Sequence, residues 1–81
     1  MNNQTARELS FGEKAVGLSF NPSTLPVVDS IKTKYAAIID ELNQLRAEPT
    51  AGPEAKRQYS VAITEAQTSQ MWAVKAATWK D

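Results

Sequence analysis

The chain has 81 residues, with nine basic and nine acidic side chains and neither cysteine nor histidine. This composition excludes disulfides, a thiolate nucleophile and histidine-based acid–base or metal chemistry. The balanced charge gives no basic excess for duplex nucleic acid, and no run of about 18 apolar residues could span a membrane.

These totals predict one small domain that acts in the cytoplasm, needs no cofactor or metal and is not an enzyme, and the apolar spacing along the chain predicts that this domain is all-α. The polar N-terminus lacks a signal-peptide core. A domain this short buries too little surface to be very stable alone, so self-association is expected. The predicted division of residues 1–81 is an N-terminal arm and loop, then two long antiparallel helices, over 1–22, 26–47 and 53–80.

The arm contains the least ordinary residues. Apolar spacing from Gln4 onward suits a short helix, a bend at Gly12 and a second short helix or turn, which Gly17 would end in left-handed conformation. Phe11 offers a flat ring and Lys14 a charge, and a helix start beside Gly12 would present free N–H groups that suit phosphate. On the residues alone, the arm is either a cap on the hairpin or a binding site.

The first long helix follows a loop with two prolines. Asn21 and Leu25 precede these prolines and are predicted to be extended, and Pro26 suits the first helical position. A heptad-like apolar seam then predicts the buried face, at Ile31, Tyr35, Ile38, Leu42 and Leu45. The polar side is predicted to face solvent and contains Asp29, Lys32, Lys34, Asp40 and Glu41.

The second long helix begins near Pro53 after a turn rich in proline and glycine. One face is predicted to pack on the first helix, through Tyr59, Ala62, Ile63, Ala66, Ala73 and Ala77. A second apolar set lies elsewhere on the cylinder, at Val61, Thr68, Met71, Trp72, Val74 and Trp79. One partner helix cannot cover both sets, which predicts an exposed patch shared with other subunits.

Three stretches carry a resemblance to a known family. The strings SFGEKAVGLSFNPS, VVDSIK and SVAITEAQTSQMWAVKAATWK lie within roughly residues 5–80 and resemble small phage proteins of the anti-CBASS protein two family. The resemblance implies a sponge that binds the cyclic di- and trinucleotides of CBASS immunity without cleaving them. It also implies a hexamer of helical hairpins, with dinucleotides between paired protomers and trinucleotides on the three-fold axes.

The resemblance also implies residues for the dinucleotide site. The family's base-stacking tyrosine corresponds to Phe11, and its phosphate-contacting lysine corresponds to Pro26. This chain therefore keeps the ring but lacks a cation, and a charge-assisted contact is worth about 1.5–3 kcal/mol. Either other cations compensate, with Lys14, Lys32 and Lys34 as the candidates, or this chain favours other messengers.

The three-fold site is predicted from symmetry. Three copies of one arginine match the three phosphates of a cyclic trinucleotide, which points to Arg7 with the nearby polar residues Gln4 and Thr5. The candidate ligand-binding residues are therefore Gln4, Thr5, Arg7, Phe11, Gly12, Lys14 and Pro26. The alternative function is a small structural or adaptor protein that docks another protein through the helix face bearing Trp72 and Trp79.

Overall fold

The computed structural model describes residues 8–21 and 25–80. Within these ranges the chain is all-helical, as predicted, with α1 at Phe11–Ala15, α2 at Pro26–Ala47 and α3 at Pro53–Ala77. The two long helices form a hairpin, and α1 packs along α2. None of the helices in the described ranges combines the length and apolar character required to cross a bilayer.

Prolines start both long helices. Pro26 and Pro53 occupy the first helical turn of α2 and α3, where a missing N–H costs nothing. At the C-terminal end of α2, Lys56 caps backbone carbonyls. Its Nζ donates to the carbonyl of Arg46 at 2.7 Å and to that of Glu48 at 3.3 Å. The second long helix ends at Ala77, three residues before the predicted end at 80.

The short helix α1 differs from the predicted arm. Ser10 is its N-cap and forms a capping box with Glu13, so the helix begins at Phe11 and residues 8–10 are not helical. The predicted bend at Gly12 is wrong, because Gly12 lies buried inside α1. Gly17 has a φ of 63°, which confirms the left-handed residue predicted after this helix.

Gly12 allows the backbones of α1 and α2 to touch. A Cβ added to Gly12 would overlap the carbonyl oxygen of Ala36 and would lie 2.9 Å from Oδ1 of Asp40. Only a residue without a side chain fits this crossing.

The hydrophobic core lies where the three helices meet. Val16, Ala36, Ile39 and Ile63 are buried there. The predicted seam of α2 is only partly right, because Ile38 is 50% exposed. The buried positions of α2 are displaced from that seam, to Val28, Lys32, Ala36 and Ile39. The reason is that α2 contacts α1 as well as α3, so its buried stripe faces both neighbours.

Lys32 is the clearest departure from the predicted polar face. It was expected to face solvent, yet its side chain is only 4% exposed. Its Nζ donates hydrogen bonds to the carbonyl of Gly17 at 2.9 Å and to the carbonyl of Phe20. These two carbonyls satisfy the buried ammonium, and Lys32 in turn fixes the turn that follows α1.

The molecule is thin. Its smallest dimension over Cα atoms is 12 Å, which is less than two stacked layers of helices need, because packed helix axes lie about 8–10 Å apart and the Cα atoms lie about 2.3 Å from each axis. A single layer of helices leaves apolar side chains uncovered, and the exposed ones are Phe11, Phe20, Val27, Ile38, Leu45, Val61, Met71, Trp72 and Trp79. The predicted exposure of Val61, Met71 and both tryptophans is confirmed, whereas Val74 is partly buried.

The Gly12 crossing can be tested by substitution. Gly12→Ala should lower the free energy of unfolding by at least about 2 kcal/mol, because the new methyl group overlaps the α2 backbone. Gly52→Ala is the control, since a Cβ there meets nothing within 4 Å; because Gly52 is the N-cap of α3, where Ala is less favourable than Gly, we expect a loss of no more than about 1 kcal/mol. Urea unfolding at one fixed protein concentration measures both. Equal effects of the two substitutions would contradict the close crossing.

Candidate ligand-binding site

Asp40 fixes the start of α1 on α2. Its carboxylate accepts a hydrogen bond from Ser10 Oγ at 2.7 Å and another from the Gly12 N–H at 2.7 Å. The Glu13 N–H donates to Ser10 Oγ at 3.1 Å. The prediction of free N–H groups for phosphate at this helix start is therefore wrong for Gly12 and Glu13, whose N–H groups are used within the fold.

Phe11 projects from this fixed start and packs against an arginine. Its ring is 44% exposed, and the Arg46 guanidinium carbon lies 5.5 Å from the ring centroid. This distance is within the range of a cation–π interaction. The pair therefore presents a flat aromatic surface and a positive charge next to each other.

Arg46 is held in place by neutral partners. Nη1 donates to Ser60 Oγ at 3.0 Å, and Nη2 donates to Asn43 Oδ1 at 2.7 Å. Within the described part of the chain, no carboxylate forms an ion pair with it. A guanidinium has five N–H donors, so this one keeps donors and an unneutralised charge for an anion.

Arg46 is not among the site residues predicted from the sequence, although its position on α2 indicates that it lies on the buried face. Lys32 lies seven positions before the buried Ile39, and Arg46 lies seven positions after it. Both cations therefore lie on the buried stripe of α2. Each packs against one phenylalanine of the arm: Arg46 against Phe11, and Lys32 against Phe20, with Lys32 Nζ 5.3 Å from the Phe20 centroid. The signal in the sequence is therefore a lysine or arginine that lies seven positions from a buried apolar residue of the same helix.

Lys14 belongs to a different surface from Phe11. It is exposed and lies beside a groove of about 460 Å³ between α1 and α3. We call this the α1–α3 groove; the residues that matter below are Lys14, Gly17, Phe20, Lys32, Gln70 and Met71. The structure therefore places Lys14 with Phe20 and Lys32 rather than with the Phe11–Arg46 pair.

Pro26 is also remote from Phe11. It is exposed at the first position of α2, 14 positions before Asp40, and this separation is about 21 Å along the helix at about 1.5 Å per residue. Asp40 in turn contacts Gly12, the neighbour of Phe11. Phe11 and Pro26 of one chain thus lie near positions of α2 that are about 21 Å apart, too far apart to hold one small ligand together.

The remaining predicted site residues, Gln4, Thr5 and Arg7, lie outside the described residues. Nor do the described ranges bring together three acidic side chains that could hold a metal ion. The chemistry that the described residues offer is therefore stacking on phenylalanine rings combined with binding of negative charge.

A separate cleft lies near the end of α3. It measures about 500 Å³ and is lined by Trp72, Lys75, Ala76 and Trp79. Lys75 Nζ is 5.1 Å from the Trp72 ring, and Trp72 is 65% exposed. This cleft belongs to the exposed apolar patch predicted from the sequence.

Comparison with protein families matches residues 13–78 to the family model described as Acb2/Tad1, hairpin domain. The match covers both long helices and begins two residues after Phe11. No curated protein and no solved structure matches the chain significantly. The resemblance predicted from the sequence is confirmed at the level of the family.

Asp40→Ala tests the attachment of α1. Removing the carboxylate leaves the Gly12 N–H without its acceptor, and we expect the free energy of unfolding to fall by about 2–3 kcal/mol. Hydrogen exchange at Gly12 should accelerate along with this loss. Glu41→Ala is the matched control, because Glu41 is the next residue and is exposed. If both substitutions act alike, Asp40 does not hold the arm.

Proposed function

The chain belongs to the Acb2/Tad1 hairpin family, and from this membership we propose that it is a phage anti-defence protein that sequesters cyclic oligonucleotide messengers. Cyclic di- and trinucleotides are the proposed ligands, and the host bacterial cytoplasm is the proposed place of action. By holding the messengers, the protein would keep CBASS effectors inactive. The observation that carries the proposal in this chain is the Phe11–Arg46 pair.

The Phe11–Arg46 pair suits the two chemical parts of a nucleotide. Stacking of a base on an aromatic ring is worth about 1–3 kcal/mol, and Phe11 has a half-exposed ring fixed at its backbone by the contacts of Gly12. The guanidinium of Arg46 lies 5.5 Å from that ring and can bind a phosphate through two parallel N–H donors.

Arg46 can also replace the family's phosphate-contacting lysine, which corresponds to Pro26 in this chain. The resemblance assigns a phosphate contact to the position of Pro26, which has neither a charge nor an N–H. In this chain Arg46 supplies a cation next to the stacking ring instead. We therefore assign the phosphate contact at Phe11 to Arg46, while Pro26 would approach a ligand only from another subunit.

Binding without cleavage is part of the proposal. Hydrolysis of a phosphodiester needs a general base, a nucleophile or a metal. The chain has no histidine to act as a general base and no cysteine to act as a nucleophile. The Phe11–Arg46 pair can hold a nucleotide but has no group to activate water. Inhibition would therefore come from affinity and copy number.

Substitutions at the pair test this assignment by calorimetric titration with a panel of cyclic di- and trinucleotides. Arg46→Gln should weaken binding of the preferred ligand about 10- to 100-fold, because a charge-assisted contact is lost. Phe11→Ala should cause a loss of similar size through stacking. Arg57→Gln is the matched control, since Arg57 is exposed and forms an ion pair with Glu54 at 2.7 Å, and it should leave affinity unchanged.

Absence of binding to any member of the panel at micromolar concentration would exclude the sponge. Ligand recovered from the heated complex should be intact on chromatography, and a cleaved product would show an enzyme instead. If Arg57→Gln lowers the affinity as much as Arg46→Gln does, the loss comes from the change in net charge and not from a specific contact of Arg46 with the ligand.

We propose further that the chain assembles as a homo-oligomer, with the hexamer that the resemblance implies. The single layer of helices leaves Met71, Trp72 and Trp79 exposed on α3, and such patches commonly form interfaces. The separation of Phe11 from Pro26 supports the same proposal, because only different subunits could bring these two positions to one ligand.

Light scattering tests the assembly. The unaltered chain should have the mass of several chains, and Trp72→Glu should reduce that mass because it places a charge in the apolar patch. Thr64→Glu introduces the same charge at an exposed polar position of α3 and should leave the mass unchanged. A single-chain mass for the unaltered protein would contradict the oligomer.

The exposed tryptophan cleft favours one alternative, an adaptor that docks a partner protein through α3. Aromatic side chains of this size are frequent at binding hot spots. An adaptor would be indifferent to Phe11→Ala and sensitive to Trp72→Ala. A sponge should lose its ligand with Phe11→Ala and keep its assembly.

A further inference from the structure

The α1–α3 groove contains an amide that the fold does not use. Gln70 is only 4% exposed, yet none of the described residues forms a hydrogen bond with its side chain. The described part of the chain has no fully buried side-chain polar atom without a partner. The amide atoms of Gln70 therefore keep a small exposed area, and Gln70 lines the groove.

An amide in this position is unusual. A glutamine buried this deeply usually has a protein partner for its amide, whereas the Gln70 amide can be paired only from the groove, by water or by a ligand. Native proteins leave few such groups, and those that exist generally have a reason. A ligand in the groove would supply the missing donor and acceptor.

The other groove residues indicate what kind of ligand fits. Phe20 is 72% exposed, and Lys32 packs 5.3 Å from its centroid, which fixes the ring while leaving most of it accessible. Lys14 and Lys32 both line the groove, and none of the described residues contributes a carboxylate to it. The groove thus combines an aromatic surface, an unpaired amide and a positive charge.

We infer that the α1–α3 groove is a second ligand site that holds one nucleotide unit. The base would stack on Phe20, and its edge would pair with the Gln70 amide, which presents a donor and an acceptor side by side, as adenine requires. The phosphate would lie near Lys14. A volume of about 460 Å³ is within the range of small-molecule sites and suits one nucleotide.

This inference goes beyond the proposed function, which concerns Phe11 and Arg46. The two sites lie at opposite ends of α1, because Phe11 is its first residue and the groove is lined by Gly17 and Phe20 beyond its end. Either site can therefore bind without the other, and each can be tested separately.

The test is NMR titration of the full chain with adenosine 5′-monophosphate and, as a comparison, ribose 5-phosphate. The base should strengthen binding at least tenfold over ribose 5-phosphate, and the shifts should include the Gln70 side-chain amide and the Phe20 ring. Gln70→Leu keeps the buried stem apolar and should weaken adenosine 5′-monophosphate binding at least tenfold. Phe20→Ala, at an exposed ring, should do the same.

Arg57→Gln is the control and should leave this binding unchanged, because Arg57 is exposed, pairs with Glu54 and lies outside both sites. Absence of binding at millimolar nucleotide, or equal affinity for ribose 5-phosphate, would overturn the site. So would loss of binding in Phe11→Ala with retention in Gln70→Leu, because the nucleotide would then lie at Phe11. A smaller assembly in Gln70→Leu by light scattering would also overturn it, since the groove would be a contact between copies of the chain.

Discussion

The Asp40 carboxylate is the contact on which the arrangement of the arm depends. A helix of five residues is too short to be stable in water by itself, so α1 exists because α2 holds it. Asp40 accepts hydrogen bonds from Ser10 and Gly12, and the missing side chain of Gly12 lets the two backbones approach. The same contacts that form α1 also use the N–H groups of Gly12 and Glu13, which are therefore not free to bind a ligand.

Helix α2 positions the arm through two cation–π contacts, one near each end of α1. Arg46 packs against Phe11 and Lys32 packs against Phe20, and the two cations are 14 positions apart, about 21 Å along the helix. Their roles differ. Lys32 is buried and gives its hydrogen bonds to carbonyls of the chain, whereas Arg46 is held by neutral partners and keeps its charge available.

Much of the fold could be predicted from the sequence, but less of the site. Pro26 and Pro53 mark where the long helices begin, and local chemistry of that kind is readable without a structure. The buried face of α2 was misplaced because it depends on α1 as a third element, which periodicity within one helix does not report. The burial of Lys32 and Gln70 could not be predicted for the same reason, since it depends on how the turn after α1 packs.

The fixed backbone beneath Phe11 has a consequence for how such a protein can change. Position 12 tolerates no side chain, and position 40 must accept two hydrogen bonds, so neither can vary without moving the arm. Position 11 is different, because its backbone is set by its neighbours while its ring remains half-exposed. Replacement of one aromatic side chain by another there would change the contacts with the proposed ligand at little cost in folding. If Phe11 binds the proposed ligand, ligand preference and fold stability can therefore evolve separately at two adjacent residues.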